Sequence, residues 1–151
     1  MNQRYLSGLV ALLAGMILNY AGDRLLGVKL ELYYGLSTFS FAWVVDLFFV
    51  PFLVGLLVAW IFGRGAKWLS YFPPLIVRCL SYAQILYISG APHGSNLNPM
   101  GWWGFYVILA VEASGIGGIL GEVLIKNVYG RSSGIVSANG KTAVPEKESK
   151  C

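Results

Sequence analysis

Four long apolar stretches occupy most of the first 125 residues and leave the chain few ways to fold. They run over 5–21, 39–62, 71–88 and 102–125, which is 17, 24, 18 and 24 residues. As helices they would measure about 26, 36, 27 and 36 Å, against a hydrocarbon core of about 30 Å. Lipid leaves no unpaired backbone group unpunished, and the ten-residue alternating strands of a barrel are absent, so helices are expected. Composition agrees: the chain is 56% hydrophobic and 12% charged, where soluble domains carry about 25% charged residues. The expected fold is an all-α, polytopic membrane protein, a four-helix bundle over 1–128.

The basic residues orient it. With the N-terminus inside, the inner segments hold Arg4, Arg64, Lys67, Lys126, Arg131, Lys141, Lys147 and Lys150, and the outer loops hold Arg24 and Lys29. That asymmetry predicts N-in, C-in. Trp43, Trp60, Trp68, Trp102 and Trp103 fall near expected helix ends, where indoles favour the membrane interface. A bacterial inner membrane is the expected location. A rival reading makes the first stretch a signal peptide, but cleavage near Asn19-Tyr20-Ala21 would put Asn at −3, a poor fit. Residues 129–151 are rich in Ser, Gly, Lys and Glu and read as a disordered cytoplasmic tail. Loop 22–38 contains LLGVKLELYYG, which could lie on the membrane surface as a short amphipathic piece.

Within the apolar stretches stand three charges: Asp46, Arg78 and Glu112. Each costs about 2.5–3.5 kcal/mol at the centre of a bilayer even on a lenient scale, so they are expected to meet one another or to line water. Arg78 and Glu112 fall at similar depths on antiparallel helices, about 4–5 Å apart along the normal. An Arg78–Glu112 ion pair is therefore expected, with Asp46 as a second acid. Ser81, Tyr82 and Gln84 follow Arg78 and suggest a polar pathway on the third helix, which is expected to be central in the bundle. Pro51, five residues after Asp46, should disturb the second helix there.

Small residues form two helical rows. One is Ser7, Ala11, Gly15 and Asn19; the other is Ala110, Ser114, Gly117 and Gly121, nearly opposite Glu112 and its neighbours Ile108, Ile116 and Ile119. Such rows let helices approach closely. Four helices offer few internal neighbours for both, which suggests self-association or docking to other membrane subunits.

Enzyme chemistry finds no footing. His93 is the single histidine, and Cys79 and Cys151 make no CxxC, so bis-His haem, His-rich metal and dithiol sites are excluded within one chain. His93 with Met100 is a weak metal signal. There is no phosphate-binding Gly-rich loop with its Lys. No cofactor, metal or nucleic acid is expected; the bilayer and other membrane subunits, or a second copy, are. Two functions remain: a non-enzymatic subunit or assembly factor of a larger membrane complex, or a small homo-oligomeric proton- or ion-coupled transporter or channel.

Overall fold

The computed structural model describes residues 3–63 and 65–139. Its architecture is helical, with one two-stranded clasp. Helix α1 (Gln3–Leu26) is followed by a loop containing β1 (Leu32–Tyr33) and a 3-10 turn (Gly35–Thr38). Next, α2 (Phe41–Val44), a π-helical turn (Val45–Phe49) and α3 (Val50–Phe62) form one continuous rod, Phe41–Phe62. The short α4 (Ala66–Leu69) precedes α5 (Phe72–Gln84), which ends in a second π-turn (Ile85–Ser89). After β2 (Asn96–Leu97) comes the long α6 (Met100–Asn139). The α6 backbone thus stays helical through 129–139, the first part of the segment expected as a tail; 140–151 and Cys151 lie outside the described residues.

Among the described residues three helices are long and apolar enough to cross a membrane: Arg4–Leu26, Phe41–Phe62 and Met100–Asn127. Helix 72–89 is long enough at about 27 Å, but Arg78 and the polar residues after it set it apart from the other three.

Local chemistry explains the breaks. Gly63 ends α3 with φ +76° while its N–H donates to the Ala59 carbonyl at 2.8 Å, the left-handed stop that glycine adopts without a Cβ penalty. Pro73 and Pro74 open α5, where a missing N–H costs little. Pro51 sits at the start of α3, and the expected disturbance takes the form of the π-turn, closed by Val50 N–H to the Val45 carbonyl. One extra residue in the turn accommodates the ring and re-aims the residues before it.

The four long helices form a ring in the order α1, α3, α6, α5, with α3 and α5 nearly diagonal. The third helix is therefore not central as expected; each helix has two main neighbours, and α3 against α6 is the closest pair. The reason lies in the small residues. A Cβ on Gly55 would fall onto the Ser114 carbonyl, and one on Gly117 onto the Phe52 carbonyl, so these backbones touch directly. Ala110 and Ser114 are fully buried, and Gly121 faces Ala59. Ser114 Oγ donates to the Ser70 carbonyl at 2.6 Å, tying α6 to the end of α4. On α1, Ser7 Oγ donates to the Ile61 carbonyl at 3.1 Å, Ala11 is buried, and Gly15 meets Pro73 and Val54. Both small-residue rows are thus filled by helices of the same chain.

At one end of the ring the loops close over the helices. β1 pairs antiparallel with β2, Leu32 opposite Leu97 and Tyr33 opposite Asn96. Asn98 fastens this clasp, its side-chain Nδ2 donating to the Leu30 carbonyl and its N–H to the Glu31 carbonyl, each at 2.8 Å. Leu30, Glu31 and Leu32 are all buried. Within LLGVKLELYYG, residues 25 and 26 thus end α1 and Leu30, Glu31 and Leu32 are built into this clasp, while Lys29, Tyr33 and Tyr34 stay exposed.

Candidate functional site: a buried arginine with three carboxylates

Under the clasp lies Arg78, 1% exposed and the largest fully buried side chain among the described residues. Its charge is answered by three acids from three parts of the chain. Nη2 donates to Asp23 Oδ1 at 2.6 Å and to Asp46 Oδ2 at 3.2 Å, and Nη1 reaches Glu31 Oε1 at 3.5 Å. Asp23 belongs to the last turn of α1, Glu31 to the cap just before β1, and Asp46 to the first π-turn. The planar fork of a guanidinium suits this convergence in a way an ammonium does not.

The expected Arg78–Glu112 pair does not form. Glu112 is exposed on the outer side of α6, and both terminal nitrogens of Arg78 are engaged by other acids. The cause is the small-residue row on the other side of the same helix: packing Ser114 and Gly117 against α3 turns Glu112 away. Of the three charges expected to meet, Asp46 and Arg78 do so.

Asp23 and Glu31 were missed. Asp23 had a sequence signal, because the row Ser7, Ala11, Gly15, Asn19 continues at the same spacing to position 23. Glu31 had none, since its burial depends on pairing between segments far apart in sequence.

Electrostatically the site is unbalanced. One guanidinium faces three carboxylates, and two of these share a single nitrogen. Asp46 is 0% exposed, and its Oδ1 has no hydrogen-bond partner; Arg78 Nε has none either. Burial pushes the Glu31 carboxyl above the usual carboxylate range, despite the opposing pull of Arg78 and a backbone N–H, and Asp23 pushes it further up. Close by on α1, Asn19 is fully buried with neither amide atom bonded.

A cavity of about 240 Å³ adjoins the cluster. Asp23 and Glu31 form part of its wall, with Ser81 and Gln84 from α5, and Arg24 and Lys29 stand beside them. Tyr82 turns the other way: its ring lies 4.5 Å from that of Trp103, and its hydroxyl meets the Asn98 carbonyl at 3.4 Å. The expected polar pathway is thus divided, Ser81 and Gln84 facing the cavity and Tyr82 bracing α5 against α6 and the cap. Among the described residues no group of His, Cys, Asp and Glu has the arrangement of a metal site.

Comparison with protein-family models, with curated proteins and with solved structures finds no match to this chain.

Proposed function

We propose that the chain is a four-span integral membrane protein, N-in and C-in, of a bacterial inner membrane, acting as a small proton- or ion-coupled carrier or channel. The observation that carries this reading is the Arg78 cluster, two of whose carboxylates border a polar cavity. Intramembrane ionisable groups mark proton and ion routes, and an excess of acids over cations gives such a group capacity to take up positive charge. The π-turn carrying Asp46 adds a locally loosened backbone at the same place, a feature found at functional sites in helices. In this reading 72–89 crosses the membrane because its one arginine is neutralised inside the bundle.

The purified protein in liposomes with an internal pH-sensitive dye tests this. An imposed potassium diffusion potential should drive proton movement, with Asp46→Asn lowering the rate about a hundredfold, the lower end of the usual contribution of a positioned proton-transfer group. Equal rates for the parent and empty liposomes would refute it.

The second reading is a non-enzymatic subunit or assembly factor of a membrane complex. The small-residue rows and Arg78 are met by groups of the same chain. What favours it is Glu112, an acid exposed near the middle of Met100–Asn127, where a cation on another subunit would relieve its cost. Stoichiometric foreign polypeptides in native membranes, lost on Glu112→Gln, would select this reading.

A further inference from the structure

The cavity beside the cluster is polarised along its depth. On its inner side stand Glu31, 1% exposed, and Asp23, 13% exposed; on its outer side stand Arg24 and Lys29, both exposed. The acids are held by Arg78, yet their accepting capacity is far from spent. Glu31 has one long 3.5 Å contact to Arg78 besides a backbone N–H, and Asp23 and Asp46 divide one nitrogen. Behind them, and outside the cavity wall, the fully buried Asp46 Oδ1 has no partner, and the Asn19 amide, one helical turn from Asp23, has none at either atom. The cavity wall therefore presents two carboxylates whose negative charge one guanidinium, shared with Asp46, does not fully offset.

We propose that this cavity binds a small zwitterion, its primary ammonium directed to Asp23 and Glu31 and its phosphate or carboxylate directed to Arg24 and Lys29. An ammonium brings three N–H donors and a positive charge, matching both the unspent acceptors and the excess of acid. A divalent metal fits less well, because the Arg78 guanidinium already holds the point where the acids converge. At about 30 Å³ per water-sized volume, a cavity of about 240 Å³ admits a group of roughly eight heavy atoms, the size of an aminoethyl phosphate. Ser81 and Gln84 supply neutral hydrogen-bonding groups between the two charged ends. The same chemistry is found in a free aminophosphate and in the head group of an ethanolamine phospholipid. Binding here does not depend on transport and stands or falls separately from it.

The test is thermal unfolding of the protein in phosphatidylcholine nanodiscs, titrated with glycerophosphoethanolamine. Glycerophosphocholine is the control, identical except that methyl groups replace the ammonium hydrogens. The ethanolamine compound should raise the melting temperature saturably, and the choline compound should not. Glu31→Gln should weaken the response about tenfold or more, as expected for losing a charge-assisted hydrogen bond. Lys29→Glu, at an exposed position, should weaken it without disturbing the fold, and decides the matter if Glu31→Gln unfolds. Phosphatidylethanolamine in the nanodisc that abolishes the response would identify the lipid as occupant; an undiminished response would identify the free compound. No response, an equal response to both compounds, or unchanged binding by Lys29→Glu would overturn the proposal. Proton flux in liposomes is a separate readout, so its loss with binding intact would refute the transport reading alone.

Discussion

Arg78→Met removes the one cation from a site that holds three carboxylates, and the structure sets what this should cost. Asp46 and Glu31 are at most 1% exposed, so neither can recover its hydration where it stands; Asp23, at 13%, can do so in part through the cavity. Removing one partner of a buried ion pair typically costs about 3–5 kcal/mol, because the other charge is left uncompensated. With two fully buried acids stranded, the loss at neutral pH should lie at the upper end of that range. Methionine fills much of the vacated volume, so little of the loss should come from a cavity. Reversible unfolding by SDS in mixed micelles measures it. Adding Asp46→Asn to Arg78→Met should restore part of the lost stability, since the second change removes a stranded charge. Glu112→Gln, made alone, removes an exposed intramembrane charge and no contact to Arg78, so it should leave stability unchanged or raise it, by at most about 2.5–3.5 kcal/mol. If Arg78→Met unfolds like the parent, or Asp46→Asn makes it worse by its full single-mutant cost, the cluster does not hold the fold in the way argued.

Two further outcomes follow from the same geometry. Because the folded chain raises the Glu31 carboxyl above its ordinary value, it binds that proton more tightly than the unfolded chain does. This group's contribution to stability should be complete below about pH 4.3 and should fall as pH rises through the raised value. Unfolding midpoints measured across pH should show that decline in the parent and a flatter profile in Glu31→Gln; parallel profiles would exclude it. Gly117→Ala puts a methyl group onto the Phe52 carbonyl and should cost about 1–3 kcal/mol, the usual range for overpacking. Gly104→Ala on the same helix, with nothing within 4 Å of the new methyl, should cost nothing by the same assay.

The helices and the meeting of Arg78 with Asp46 were legible because each rests on a local property, apolar length in the one case and the cost of charge within it in the other. The partner of Arg78 was misjudged because depth along the membrane normal was used without direction around the helix. Glu112 lies at a suitable level, but it shares α6 with Ala110, Ser114, Gly117 and Gly121. A helix in a four-membered ring cannot press that row against α3 and also turn its opposite face inward. The row itself was read correctly as a close-packing surface; that α3 would supply the other half depended on Gly55, whose match to Ser114 is a three-dimensional fact. Asp23 lies beyond the first apolar stretch, which ends at Ala21, whereas α1 continues to Leu26 and carries it under the clasp.

All three carboxylates precede their arginine in the chain. Arg78 comes 55 residues after Asp23, 47 after Glu31 and 32 after Asp46. At a synthesis rate of about 5–20 residues per second, the last of these intervals alone takes roughly 2–6 s. For that time the nascent chain has its acids at or in the membrane and no cation to meet them. The first two spans must therefore wait, with carboxyls protonated or still in contact with water, until the third arrives. Insertion of α5 is then the step that locks its predecessors in place, and a ribosome stalled before Arg78 should leave a chain that can still be extracted from the bilayer.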